Sequence, residues 1–407
     1  MSSSHQKTVA RRRVFYIPGY DPIHPRRYRE LYRKEGAAQA AITGYDLTLK
    51  PAQASQHYGW QVEATIDGAN VHADMEVLVW SDIVRDSMEA SIPGTYLQLA
   101  RTAWIYIASG ALRRLMRLRK GPVIAALYPV GMLLGQACVA MLLWYLCWRA
   151  GGAVLGALGA WAGFALGAVF FAVVLRWFKA KDGKFFAYYL MHDYAYSAAS
   201  KGAHPPALEE RMQTFQCSIA AALTDDVDEV LVVGHSSGAH LAVSILSDLI
   251  RAGRVPANGP ALGFLSLGQV VPMVSFLPDA YRLRADLQFL SARDELTWVD
   301  VTAPGDGCAF ALCDPVSVSG VAPDDKRWPL VFSAAFTQTL STERWQELRW
   351  RFFRLHFQYL CAFDRPKDYD YFQITAGPVT LADRYADRPP SKSRIDVPAS
   401  KYTSVAA

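Results

Sequence analysis

The feature that most constrains this chain is a pair of charge-free stretches in its middle. From Pro122 to Trp148, 27 residues pass without Asp, Glu, Lys or Arg, and from Gly151 to Leu175 another 25 do. As helices they would be about 40 and 37 Å long at ~1.5 Å per residue. Each exceeds the ~20 residues that cross a bilayer core. The residues between them, Arg149-Ala150-Gly151-Gly152, read as a short turn. The pattern therefore predicts a transmembrane two-helix hairpin over residues 121–176. Gly151, Gly152, Gly156, Gly159, Gly163 and Gly167 would let two helices approach closely in lipid. Tyr128, Trp144, Tyr145, Trp148 and Trp161 suit the interfaces. The competing reading, a helical pair inside a soluble core, is disfavoured because core helices seldom run so long without charge.

Charge distribution sharpens this picture. The chain holds 42 Lys+Arg against 37 Asp+Glu, a net +5 that is too weak to point to nucleic acid. That sum hides an asymmetry. Arg113, Arg114, Arg117, Arg119 and Lys120 precede the apolar region, Arg176, Lys179, Lys181 and Lys184 follow it, and only Arg149 lies between. With Asp182 the single acid in this interval, the collar carries +9 and the rest of the chain −4. Basic flanks face the cytoplasm, so a two-span membrane protein with its main body on the cytoplasmic side is expected. Tyr96 to Lys120 reads as a basic, aromatic helix suited to anionic headgroups.

Outside the apolar region, strand and helix signals alternate. Val14–Ile17, Glu76–Trp80, Val230–Val233, Leu262–Leu267, Leu296–Thr302 and Pro329–Phe332 are strand-like. Pro25–Ala41, Pro206–Leu223, Ala239–Arg251, Ala280–Arg293 and Glu343–Leu360 have helical composition or period. Such alternation predicts an α/β fold with a mostly parallel sheet covered on both faces. The chain then divides into 11–120, the first part of the body with its basic helix, the hairpin 121–176, a second part 177–387, and a Pro/Ser-rich tail 388–407 that reads as flexible. Met1 to Ala10 is mostly polar and carries no secretory signal pattern. The six cysteines form no C-x-x-C pair and two of them lie in the apolar run, which argues against a disulfide framework or a zinc site. Cys308/Cys313 and Asp368-Tyr369-Asp370 lack metal-ligand spacing, so neither metal nor organic cofactor is expected.

The sharpest local signal is Gly234-His235-Ser236-Ser237-Gly238, a single G-x-S-x-G. Alone it is weak, but a strand precedes it and a helix follows at once, the setting a nucleophile elbow requires. A sharp turn there would push the serine hydroxyl out of the sheet edge. The new helix would aim its first N–H groups at a developing oxyanion. A plain Gly/Ser loop before a helix is the bland alternative.

On this motif and on element order, the chain resembles the α/β-hydrolase superfamily. The resemblance implies a fold of α/β-hydrolase type interrupted by the hairpin, and a triad in chain order serine, acid, histidine. Of nine histidines only His240 and His356 follow Ser236, and His240 precedes every acid loop. The resemblance therefore assigns Ser236 as nucleophile and His356 as general base, although the surroundings of His356 look helical where the family has a loop. The family's acid follows the second strand beyond the elbow, which implies Asp306 in Ala303-Pro304-Gly305-Asp306-Gly307. Asp294, Asp300 and Asp314 stay open. The oxyanion donors implied are the backbone of Ser237 and of Tyr20, with Pro18 standing where the family usually has a His-Gly pair. The expectation is a membrane-anchored serine hydrolase of esterase or lipase type that cleaves an acyl ester through an acyl-enzyme. A lipid substrate is suggested by the anchor alone. An acyltransferase, thioesterase or peptidase on the same triad, or a non-catalytic membrane scaffold, are the alternatives. A transporter is a weaker one, since the apolar stretches hold no internal charge to line an ion path.

Overall fold

The computed structural model describes residues 8–52 and 56–406. Most of the amino-terminal stretch read as signal-free lies outside the described residues. Eight strands form one mixed, mostly parallel sheet: β1 (Arg11–Ile17), β2 (Asp46–Pro51), β3 (Tyr58–Ile66), β4 (Ala69–Val77), β5 (Glu229–His235), β6 (Ala261–Leu267), β7 (Thr297–Thr302) and β8 (Leu330–Ser333). Their spatial order is β2-β3-β4-β1-β5-β6-β7-β8. β3 runs antiparallel to both of its neighbours, and the pairs from β4 through β1 to β8 are parallel.

Side chains alternate across this sheet, as the period of two demands. Val14, Tyr16, Leu231 and Val233 enter the core on one face, and Phe15, Ile17, Val230 and Val232 enter the core on the other. The two central strands, β1 and β5, are thus apolar on both sides, which is why they read as continuous apolar runs. Their start is locked by a buried ion pair, Arg12 Nε to Glu229 Oε2 at 2.6 Å. Arg12 also donates to the carbonyls of Gly377 and Val379, so neither charge is left unsatisfied. The Arg11 and Arg13 neighbours pair with Asp226 and Asp225 in the turn before β5.

The expected two-helix hairpin is corrected to one element. Lys120–Ala180 is a single 61-residue helical insertion, and the supposed turn residues 149–152 are helical. Non-helical dihedrals occur instead at Leu155 (φ −128°, ψ 21°) and Gly156 (φ 58°, ψ −141°). Gly156 takes the positive φ that other residues resist, so the kink falls there and not at the Gly-Gly pair. Across the kink Trp144 Nε1 donates to the Phe164 carbonyl at 2.9 Å. A Cβ at Gly163 would collide with the Cys147 carbonyl, so the segments on either side of the kink lie together. Among the described residues this is the one helix long and apolar enough to cross a membrane, with 22% of its most apolar window buried, so there is one candidate crossing element rather than two. Because β1 and β5 pair side by side from opposite ends of the insertion, both of its ends return to the same body.

Two further expectations are corrected. Residues 388–406 do not form a free tail: Ile395 N donates to the Leu312 carbonyl at 2.7 Å and Ala399 N to that of Val318 at 3.0 Å. Ile395 and Ala399 pack on the cluster around Phe310 and Cys313, an apolar attachment that the Pro/Ser-rich composition concealed. The helix expected over Glu343–Leu360 is broken into Thr342–Leu348, Phe352–His356 and a 3-10 turn Gln358–Leu360.

Candidate active site

β5 ends in the motif, and the helix Gly238–Arg251 begins three residues beyond its last strand residue. Ser236, between them, has φ +56°, a left-handed conformation that costs energy for a serine. The surrounding backbone holds it there: Ser236 N donates to the Leu267 carbonyl at 2.9 Å. Glycine is needed on both sides. A Cβ at Gly234 would lie 2.8 Å from Ala239 Cα, and one at Gly238 would collide with the Ile17 carbonyl at the end of β1. The strained serine is therefore a consequence of packing the helix start against the two central strands.

His356 is the last residue of its five-residue helix and is buried. Its Nδ1 lies 2.7 Å from Asp306 Oδ2. Asp306 is fully enclosed by donors: Tyr359 OH reaches the same oxygen at 3.0 Å, and the Cys308 N–H reaches Oδ1 at 2.8 Å. A carboxylate at Nδ1 keeps the ring proton on that nitrogen and leaves Nε2 as the acceptor. Nε2 is buried and has no hydrogen-bond partner among the described residues. His356 lines a cavity of about 80 Å³ together with Ser236, Gly19, Tyr20, Ser237 and Cys308 among others. The residues read as Ser236, His356, Asp306, Tyr20 and Ser237 are thereby brought to one place. Neither the Tyr20 N–H nor the Ser237 N–H has an acceptor among the described residues, so both are free to receive an oxyanion.

The other candidate acids are elsewhere. Asp294 lies on the surface beside Arg327, Asp314 caps the short helix Pro315–Val318 and pairs with Lys326, and Asp300 is buried on Ser266 Oγ at 2.6 Å. Burial pushes the Asp300 carboxyl up to about 8, which suits a structural group that stays protonated. His240 faces His204 rather than the cavity, and burial lowers it to about 3.

Three further residues stand at this place. His235, the variable residue inside the motif, is buried with Nε2 3.0 Å from the His356 carbonyl. A carbonyl only accepts, so His235 donates there and its Nδ1 takes the Tyr16 hydroxyl at 3.3 Å. Burial first, and the neighbouring His356 second, lower its pKa to about 3, so it is a neutral tie between the elbow and the His356 turn. Tyr359 is the second, spaced three residues after His356. The third is Asp193, on the helix Ala187–Ala199 that follows the insertion, where it lines the cavity. Its pKa is raised to about 7 by burial and partly held down by His356. An acid isolated in a run of tyrosines, Tyr188 to Tyr196, was the available signal.

Asp306, Cys308 and His356 also place one ligand atom each within 4.8 Å of one another. Asp306 already accepts three hydrogen bonds, and the Cys308 thiol is pushed well up by burial and by Asp306. A hydrogen-bonded acid–histidine pair fits this donor set better than a metal centre. All six cysteines are unpaired. No protein-family model matches the chain, and neither a curated protein nor a solved structure matches it.

Proposed function

We propose that this protein is a serine hydrolase of the α/β-hydrolase type that acts on acyl esters at a membrane surface. The observation that carries the reading is a strained Ser236 sharing one cavity with the unpartnered Nε2 of His356, whose other nitrogen is held by Asp306. His356 Nε2 takes the Ser236 Oγ proton as Oγ attacks the carbonyl carbon. The carbonyl oxygen gains the charge and is received by the free N–H groups of Tyr20 and Ser237. The C–O bond to the leaving alcohol then breaks, and the alcohol leaves with the proton from Nε2. Water, deprotonated by the same nitrogen, cleaves the acyl-enzyme and restores Ser236. Acyltransferase and thioesterase chemistry would pass through the same acyl-enzyme. Asp306 accepts from Nδ1 and keeps the imidazole in the acting tautomer, with His235 fixing the main chain of His356.

The location rests on the helical insertion. Val154, Leu158 and Trp161 are 77%, 81% and 73% exposed, an apolar surface without a protein partner. Its base reaches the site: Pro122 lines the cavity, and the helix Ala187–Ala199 beyond its far end supplies Tyr189, Asp193 and Tyr194. With the basic collar, this supports a cytoplasmic body held against the bilayer with its active site opening near the headgroups. Turnover of vesicle-borne and soluble esters by the whole chain and by a variant carrying Val154→Lys, Leu158→Lys and Trp161→Lys, all exposed positions, tests this reading. Loss confined to the vesicle substrates supports it, and equal loss of both contradicts it.

A further inference from the structure

Asp193 presents an unusual combination. Among the described residues its half-buried carboxylate has no hydrogen bond or ion pair, whereas buried carboxylates of the body such as Asp306, Asp314, Glu229 and Asp370 are tied to donors. It stands in the cavity that holds Ser236, and the walls around it are aromatic: Tyr20, Tyr106, Tyr189, Tyr194 and Phe353. Tyr20 and Tyr189 are clamped together, their rings 6.2 Å apart and the Tyr189 hydroxyl donating to the Tyr20 carbonyl. Phe353 packs on Tyr189 at 6.0 Å. The walls are thus fixed before any ligand arrives.

A desolvated carboxylate without a partner is costly. Ringed by aromatic faces, it is the environment that attracts an organic cation, because the ring quadrupole and the carboxylate act in the same direction. The nearby phenols are themselves pushed up by burial, and Tyr20, Tyr106, Tyr189 and Tyr194 are pushed further by this carboxylate, so they stay neutral and do not compete for the cation. No Lys or Arg lines the cavity, and the charged neighbour from within the chain that acts on Asp193 is His356.

We infer that Asp193 and the aromatic walls of the cavity bind an ammonium or alkylammonium group of the substrate, so that the preferred ester carries a cation a few atoms from its reacting carbonyl. This rests on the serine-hydrolase reading and narrows it to cationic esters. The proximity follows from Asp193 lining the same cavity as Ser236 and acting electrostatically on His356.

The test compares butyrylcholine with its neutral carbon isostere, 3,3-dimethylbutyl butyrate, on the whole chain in detergent at pH 8. Labelling by a neutral fluorophosphonate is measured in parallel. The wild-type protein should favour the cationic ester about tenfold or more in kcat/KM, and Asp193→Asn should bring the ratio close to one. Tetramethylammonium should slow fluorophosphonate labelling of the wild type and have little effect on the variant. If the wild type is labelled and cleaves both esters equally, the cation site is overturned and the hydrolase reading survives. If the wild type is neither labelled nor active on either ester, the hydrolase reading itself fails and the inference fails with it. The wild-type ratio needs no variant, so misfolding of Asp193→Asn cannot hide the outcome.

Discussion

The elbow and the helical insertion are built on opposite terms. Around Ser236 the chain is held by backbone: strands on both sides, a helix start pressed on β1, and glycines where a single methyl would collide. The insertion has the reverse character, since large side chains such as Leu158, Trp161, Val169 and Trp177 stand exposed along it. One region buries apolar surface in protein, and the other offers it to something outside the chain. Between them lies the helix Ala187–Ala199, anchored by Asp182, which accepts the N–H groups of Ala187, Tyr188 and Tyr189, and packed through Met191 and Ala195 against Leu133 of the insertion. This intermediate piece lines the cavity that holds Ser236, and the insertion itself reaches it through Pro122. On the proposed reading, the rigid part supplies the reacting groups and the helix Ala187–Ala199 supplies part of the wall that a substrate meets.

The sharpest way to break this division is at the elbow. Ser236→Ala should lower ester turnover on the order of 10⁴-fold or more in kcat, with binding of the ester little changed. A loss below tenfold would remove the serine from the chemistry. Asp306→Asn should cost on the order of 10³–10⁴-fold in kcat, since it releases the wrong imidazole tautomer while preserving shape. Steady-state kinetics of that variant beside Asp294→Asn, which should behave as wild type, separates the acid that holds His356 from a surface one.

At the insertion, the triple change Leu158→Lys, Trp161→Lys and Val169→Lys should shift the protein from the membrane pellet toward the soluble fraction. Each lysine near the centre of a spanning helix opposes insertion by about 2.5–3.5 kcal/mol. Hydrolysis of a soluble ester should stay within about twofold, and a parallel collapse of that activity would show that the two regions are not separable.

A smaller effect belongs to Asp193. Its carboxyl ordinarily releases its proton near 3.8, and in the folded chain it holds it to about 7 because it is buried. Folding therefore binds a proton across this window, and stability falls as pH rises from about 4 to 7. Asp193→Asn removes that contribution, so the variant should be more stable than wild type at pH 8 by roughly 1–4 kcal/mol and similar below pH 4. Thermal melts in detergent at the two pH values check this. A variant less stable at pH 8 would mean that the carboxylate is paired rather than exposed to an open site. Stability gained by removing a group in the cavity is what a site kept for a ligand predicts.

Much of the frame was legible in the sequence because its signals are local. The central strands are short apolar runs, and the elbow needs only two glycines, a strand and a helix in order. Asp306 came first through the resemblance, which implies an acid after the second strand beyond the elbow, and a Pro/Gly turn stands there. The rest of the frame depends on distant contacts or on a strict two-residue alternation. β2 and β3 escaped since they alternate instead of running apolar: Trp60, Val62, Ala64 and Ile66 face the core between exposed neighbours. The kink at Gly156 could not be told from the Gly-Gly pair by composition. His235 bonds to His356 more than 100 residues away, and Asp193 shares a cavity with Ser236 more than 40 residues away, and no spacing rule connects them. The break near Trp350 that frees His356 from a long helix was hidden by continuous helical composition.

The central claim is that Ser236 is a nucleophile activated by His356 on Asp306. It is tested most directly by treating the whole chain with a fluorophosphonate probe and locating the adduct by peptide mass spectrometry. The account predicts one adduct, on the peptide containing Ser236, abolished in Ser236→Ala and strongly slowed in His356→Ala. An adduct on another residue, or undiminished labelling of Ser236→Ala, would contradict it.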